Sequence, residues 1–463
     1  MGPGGAAESN ANVKRRHPCL EKGDVFRTLG LPSDLIVGLD TIAMTTSKSL
    51  SGFRDIPPGA HLLWVQQPGG VSRCGYWFVT GRTGCVRAKQ WDRYNEELGE
   101  VHKNHIEVFD LEAVYPSLQP YTLHQHKTQP TNPILAPTTA LRPDWMRSPS
   151  LLWQTLTSAI STSFLAKITG RTTGVKEYFI DSADSGPGGT LSIADRAPAS
   201  ESGTGRTLTF LFTQDLRDLR LLDQHGPPES RAADTSPRIL ALLARDRAAG
   251  GGGTEQDVLA ELQFALLTGA NLGSPACIEH WWALVLRMVL RAHGRLPVSR
   301  PRLAADLLRT LHAQLFYVEN YVGGPSSRSR QQDGQSGRGG GGGGTATDGS
   351  GGESVVFQFD PRNRTRLRLA LAEYKRRLGE VLRQLGDKMT AEQRAVGRAF
   401  EELEDWLGEC GWDLKGEEEN AGGKQGDVGG DAGVGDSEDE DDPPMVVELD
   451  EEGREVGLVS FRD

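Results

Sequence analysis

The sequence predicts an α+β multidomain chain: a β-rich, sandwich-like N-terminal domain, then an all-α helical domain, then a flexible acidic C-terminal tail. Three observations carry the prediction. Up to about residue 125, aromatic and β-branched residues come in short runs separated by turn residues. From about residue 234, apolar residues recur at helical spacing behind recognisable start signals. Beyond Gly416 the composition becomes acidic and glycine-rich. The 463 residues leave room for two or three domains, and 57 glycines with 25 prolines mark part of that length as linker.

The β-rich domain is expected over 23–147, after a disordered N-terminus at 1–22. Its strand candidates are Leu35 to Leu39, Gly52 to Arg54, His61 to Val65, Tyr76 to Thr80 and Ile106 to Phe109. Pro57-Pro58-Gly59 ends one segment and launches the next. Short strands at this spacing favour a sandwich or barrel over βαβ units. Residues 148–233 read as a linker helix and loop. Ser148 and Pro149 supply an N-cap and a first-turn proline, and Leu152, Leu156, Ala159 and Ile160 follow on one face. A loose loop at 181–205 precedes an extended piece, Leu208 to Phe212.

The helical domain spans 234–414. Thr254 with Asp257 and Thr390 with Gln393 are capping boxes, and Ser274-Pro275, Pro301 and Asp360-Pro361 open further helices. Five such helices make a bundle or superhelix, with Trp281 and Trp282 in its most apolar stretch. A glycine-rich insertion at 323–354, with six consecutive glycines from Gly339 to Gly344, reads as disordered. Residues 415–463 form the tail.

The net charge of −11 is concentrated there: Gly416 to Glu452 holds 15 acidic residues against one lysine, leaving about +3 elsewhere. That argues against a body wrapped on nucleic acid. No run approaches the ~18 apolar residues of a membrane span, and the N-terminus lacks the apolar core of a secretion signal. Five scattered cysteines fit a reducing, intracellular compartment.

Catalytic patterns are mostly absent. There is neither a GxxxxGK[ST] phosphate loop nor a GxSxG elbow. Gly81-Arg82-Thr83-Gly84 reads as a hairpin turn rather than a phosphate cradle. His102, His105 and Glu107, or His124 and His126, lack the helical spacing that aligns metal ligands, and Asp110 with Glu112 has no third partner. Glu279-His280 reads as a hydrogen-bonded polar edge. Arg338 before glycines lacks the interleaved aromatics of an RNA-binding segment. No catalytic, cofactor-binding or metal residue is assigned.

The tail holds the one binding candidate. Met445, Val447 and Leu449 share one face of an extended strand, with Val446 and Glu448 on the other. Beyond an acidic tether, such a strand suits addition to a partner's sheet edge; folding back on the chain's own β domain, or simple disorder, is the competing expectation. Ser437, followed by Glu438, Asp439 and Glu440, has the context of an acidophilic kinase site.

Three stretches then resemble the a1-cistron-splicing factor family, assembly factors of the U5 snRNP. They are VGLDTIAMTTSKSLSGFRDIPPGAHLLWV (Val37 to Val65), GYWF…RYNEEL (Gly75 to Leu98) and DVLAELQFALLTGANLGSPACIEHWWALVLRMV (Asp257 to Val289). PMVVELDEEG (Pro444 to Gly453) is a weaker fourth. The glycine-rich insertion and the acidic stretch at 416–442 depart from the family pattern. The resemblance implies an N-terminal β-rich domain, a VHS-like helical domain and a C-terminal tail. It also implies a non-enzymatic assembly chaperone, cytoplasmic and nuclear, without cofactor, membrane or sequence-specific nucleic acid. Its expected partners are pre-mRNA-processing-splicing factor 8, through the RNase H-like and endonuclease-like domains, and other U5 snRNP proteins, with helicase joining delayed until maturation. Met445 to Leu449 is the implied contact. The alternatives are a helical adaptor for intracellular protein sorting and a metal-dependent hydrolase at His102 and His105.

Overall fold

Strand-forming runs interrupted by turns build the N-terminal part as two five-stranded sheets. The computed structural model describes residues 17–46, 50–67, 73–82, 84–101, 111–121, 143–171, 175–182, 208–227, 233–245, 253–322, 362–412, 414, 447–449 and 455–458. The expected strand Ile106 to Phe109, most of the 181–205 loop, the insertion at 323–354, Asp360-Pro361 and the acidic stretch at 416–442 lie outside these residues. The chain divides into one unit ending at Glu418 and a second from Glu419 to Asp463.

In chain order the strands are β1 (Asp24–Leu29), β2 (Ile36–Leu39), β3 (Ile42–Thr45), β4 (Gly52–Ile56), β5 (Gly59–Gln66), β6 (Arg73–Thr80), β7 (Val86–Asp92), β8 (Glu97–Glu100), β9 (Gln119–Pro120) and β10 (Glu177–Asp181). One sheet runs β8-β7-β1-β4-β9, the other β10-β6-β5-β2-β3. Most neighbours are antiparallel, but β1 pairs with β7, and β4 with β9, in parallel. The rings of Phe26 in the first sheet and Phe78 in the second meet at 5.1 Å, placing core between the layers. In the second sheet Trp64 lies across Gly38, where a Cβ would come within 2.0 Å of the indole. Only glycine leaves room for that ring.

The helices are α1 (Leu111–Val114), α2 (Pro149–Leu156), α3 (Thr162–Ile168), α4 (Thr213–His225), α5 (Ser236–Ala244), α6 (Glu255–Leu272), α7 (Pro275–Ala283), α8 (Arg295–Ser299), α9 (Pro301–Tyr317), α10 (Arg362–Leu385) and α11 (Ala391–Glu409). The start signals act as expected. Ser148, Thr254, Ser274 and Thr390 each cap a helix, with reciprocal capping boxes at Thr254 and Thr390. α6 ends on Gly273 in the left-handed conformation, φ 69°. α7 and α9 each run on into a π-helical turn, Leu284–Val289 and Val318–Val322.

Sheets and helices share one core. The Trp77 indole of β6 donates to Thr268 Oγ1 of α6 at 3.0 Å, and its ring stacks on Trp153 of α2 at 6.2 Å. Trp153 in turn donates to the Ala60 carbonyl of β5 at 2.9 Å. Trp281 and Trp282 are buried, and Trp281 donates to Gln314 Oε1 of α9 at 2.9 Å. None of the five cysteines, all of them among the described residues, is in a disulfide.

Two local expectations need correcting. Gly81 to Gly84 makes no hairpin: it carries the chain from β6 in the second sheet to β7 in the first, where β7 pairs with β1 instead. Leu208 to Phe212 is not a strand. Leu208, Phe210 and Phe212 are buried in alternation, and the backbone at Leu211 and Phe212 is held by a side chain, described below, rather than by a ladder. β1, β3, β7, β8, β9 and β10 carried no separate expectation. β7 is half-charged and β10 lies well beyond the other strands in sequence, so no local run announces either.

In the tail, β11 (Val447–Leu449) pairs antiparallel with β12 (Glu455–Leu458), register Val447↔Leu458, with a bulge between Glu448 and Leu449.

Candidate partner-docking site

The most specific words of the sequence converge on two buried acid–histidine nodes. In the first, Asp40 follows β2 and is held at φ 57°, a left-handed conformation open to aspartate. Its carboxylate accepts from Leu62 N at 3.0 Å, from the Tyr121 hydroxyl at 2.5 Å, and from His61 Nδ1 at 2.7 Å. His61 Nε2 lies 2.9 Å from the Pro57 carbonyl. Both ring nitrogens therefore face acceptors, which suits the imidazolium, donating from each. Burial works against that charge, but Asp40 and the Pro57 carbonyl outweigh it and raise the His61 pKa. Asp40 after β2 and the Pro-Pro-Gly-x-His turn thus lock together the crossing from β4 to β5.

In the second node, Glu261 of α6 is a carboxylate on an otherwise apolar stretch, and it is fully buried. It accepts from Leu211 N at 2.5 Å, from Phe212 N at 3.3 Å, and from His280 Nε2 of α7 at 2.8 Å. Phe210 stacks on the His280 ring at 3.8 Å. Two residues on, Gln263 accepts from Ala159 N at 2.9 Å and donates to Ser158 Oγ at 3.0 Å, tying α6 to the end of α2. Glu279-His280, expected as a hydrogen-bonded polar edge, is hydrogen-bonded through His280.

Acid–histidine pairs of this kind also activate nucleophiles. Here His61 has both nitrogens occupied by protein groups, and the His280 ring is covered by Phe210. Chemically these are clamps for backbone. Among the described residues no group of three or more His, Cys, Asp or Glu could hold a metal ion. His102, His105 and Glu107, like His124 and His126, lie outside them. No described helix is long and apolar enough to cross a membrane.

Beside α4, α7 with its π turn, and α10 lies a cleft of about 880 Å³ floored by Trp282, Leu286 and Leu369. Several of its charges are already engaged: Arg287 and Arg291 both pair with Asp223, at 3.0 and 2.8 Å, and Glu373 pairs with Arg376 and Arg377 outside the cleft.

Of the tail candidates, Val447, Glu448 and Leu449 form β11, whereas Met445, Val446 and Ser437 lie outside the described residues. The hairpin gives β11 one strand neighbour in its two-stranded sheet. The other edge of a two-stranded pair keeps its main-chain donors and acceptors available for a further strand. Sequence reading did not foresee the pairing with β12; the signal was the apolar-flanked Val456 to Val459 run after Glu451-Glu452-Gly453. Nor did it foresee that Glu261 and His280 pair. A charge inside VLAELQFALL was the available clue, since a buried carboxylate requires a partner.

Residues 22–170 match the family model for the AAR2 N-terminal domain, and residues 229–415 match that for the AAR2 C-terminal repeat region. Together they cover well over half of the chain, in the order of the two halves described above. A search of curated proteins finds no match.

Proposed function

Because the chain belongs to the AAR2 (A1 cistron-splicing factor) family, whose role is splicing-related U5 snRNP assembly, we propose that it is a non-catalytic assembly chaperone for pre-mRNA-processing-splicing factor 8. It binds that scaffold through the RNase H-like and endonuclease-like domains, in the cytoplasm and nucleus, and delays joining of the U5 helicase until maturation. The family match across both halves carries the reading. The two histidine nodes support it, because their geometry holds backbone rather than presenting a reactive group.

The tail contact is placed at Met445, Val446, Val447, Glu448 and Leu449, by strand addition to a sheet edge of the scaffold. The strand state of Val447–Leu449 supports that assignment. Each main-chain hydrogen bond so formed contributes roughly 0.5–1.5 kcal/mol, and ordering the acidic tether opposes them. Phosphorylation of Ser437 would add charge to that tether and modulate docking.

The test is a pull-down with the tagged full chain and mass-spectrometric identification of bound proteins. The scaffold should be recovered without the U5 helicase; membrane-traffic partners and no spliceosomal protein would overturn the reading. Deleting 443–463 should raise the scaffold Kd at least tenfold without lowering the melting temperature, and an unchanged Kd would remove the tail's role.

A further inference from the structure

The β7–β8 hairpin presents the most exposed large hydrophobic side chain among the described residues. Tyr94 at its tip is 98% exposed, whereas the next, Leu221, is 57% exposed. Scattered surface apolar residues are ordinary. This one differs because the backbone that carries it is held by a hydrogen-bonded turn on a paired hairpin.

At the base of the hairpin, Trp91 faces Leu98 across the strand pair and both are buried. Leu98 is held further by the Tyr76 hydroxyl, which donates to its carbonyl at 2.5 Å. One step out, Asp92 pairs with Glu97. The Asp92 carboxylate accepts from Tyr94 N at 2.8 Å and Asn95 N at 3.3 Å, and from Asn95 Nδ2 at 2.9 Å. The tip is thus closed by an aspartate turn rather than left loose. Glu96 completes it at φ 56°, where glycine would sit without strain and a glutamate does not. The loop keeps a strained backbone position at Glu96 close to a phenol carried on a hydrogen-bonded turn. Strain held at an exposed turn points to use of the side chains.

We propose that the hairpin tip is a second docking element, in which Tyr94 inserts into an apolar pocket on a protein partner whose rim is basic. Asp92–Glu97 carries three carboxylates against one guanidinium, which selects a cationic rim. The same carboxylates repel a phosphate backbone, so the occupant is a protein and not RNA. Because the turn already holds its backbone, Tyr94 gives up only two side-chain torsions on binding, the low cost that makes tyrosine a frequent interface anchor. This assignment rests on the scaffold reading above, because that scaffold is the partner tested.

The experiment titrates pre-mRNA-processing-splicing factor 8 with the unmodified full chain, Tyr94→Ala, Tyr94→Phe, Glu96→Gly and the chain lacking 443–463. Tyr94→Ala should raise Kd at least tenfold with an unchanged melting temperature, and Tyr94→Phe by less. Glu96→Gly relieves the strained turn, so it should melt no lower while binding more weakly, a combination that a purely structural role would not give. Tyr94→Ala binding as tightly as the unmodified chain, while the tail deletion weakens, would overturn the hairpin assignment and leave the scaffold reading standing. No binding by the unmodified chain would overturn both. Binding of a single-stranded RNA oligonucleotide that is lost in Tyr94→Ala would also overturn it.

Discussion

The sheets bury charge where the helices bury neutral polar groups. Within the sheets, Arg87 pairs with Asp24, Lys89 with Glu100 and His61 with Asp40, and both Arg87 and Lys89 reach across to Glu177 of the second sheet. Across the helices, Gln263, Gln314, Thr268 and Asn271 make many of the buried cross-links, and Glu261 with His280 and Asp257 with Lys167 are charged exceptions. Backbone explains the difference. A helix satisfies its own interior N–H and C=O groups, so a neutral amide is enough to join two of them. Short strands that cross between sheets leave carbonyls at their ends: Val79, Lys176, Pro57 and Leu118 are reached by Arg87, His61 and Arg54. Charged donors form stronger bonds with such carbonyls, at the cost of burying charge.

The strongest way to break this comparison is at Asp40. Asp40→Ala leaves the His61 imidazolium, Leu62 N–H and Tyr121 hydroxyl without their acceptor. It should cost about 3–5 kcal/mol in urea unfolding. A loss under about 1 kcal/mol would mean the clamp is not needed.

Titration sharpens the comparison, because the two halves hold opposite histidines. His312 of α9 is buried among Trp145, Phe316 and Trp406, and burial pushes its pKa down to about 3. It stays neutral when folded but takes a proton near 6.5 when unfolded, so its part of the stability is lost as pH falls below that value. The loss should be about 2 kcal/mol between pH 7 and 5. His61 behaves oppositely. Its raised pKa makes its contribution complete below 6.5 and lost as pH rises through the folded value. Denaturant melts at stepped pH should therefore show His312→Phe flattening the acid limb and His61→Gln flattening the alkaline one. The same limb flattened by both variants would refute the assignment.

The smallest effect is expected from a neutral cross-link. Gln314 accepts from Trp281 Nε1 and donates to the Leu262 carbonyl at 2.8 Å. Gln314→Leu should cost about 1–3 kcal/mol, less than Asp40→Ala, because the groups it strands carry no charge. An equal or larger cost would erase the contrast between the halves.

Much of the fold was legible locally. Ser148, Thr254, Ser274 and Thr390 announced their helices because a cap is a side chain bonding to backbone two or three residues away. Pro57-Pro58-Gly59 announced a break for an equally local reason. Leu208 to Phe212 shows the limit: its alternation is genuine, but its backbone is held by a carboxylate some 50 residues later instead of by a strand, and no window over the segment contains Glu261. The site was less legible. Val447 to Leu449 could be read as strand-forming, yet β12 as its neighbour could not, and Tyr94 in the sequence is one tyrosine among eight.

The amino-acid sequence by itself determined the β-then-α order, the helix starts, the apolar stripes and the acidic tail, because each depends on residues within a turn or two of one another. Tertiary structure alone decided which strands share a sheet, that Asp40 meets His61 and Glu261 meets His280, and that Tyr94 stands free while Trp77 is buried. Those outcomes depend on which distant groups compete for the same core volume and the same hydrogen bonds, and that competition is resolved only when the whole chain has packed.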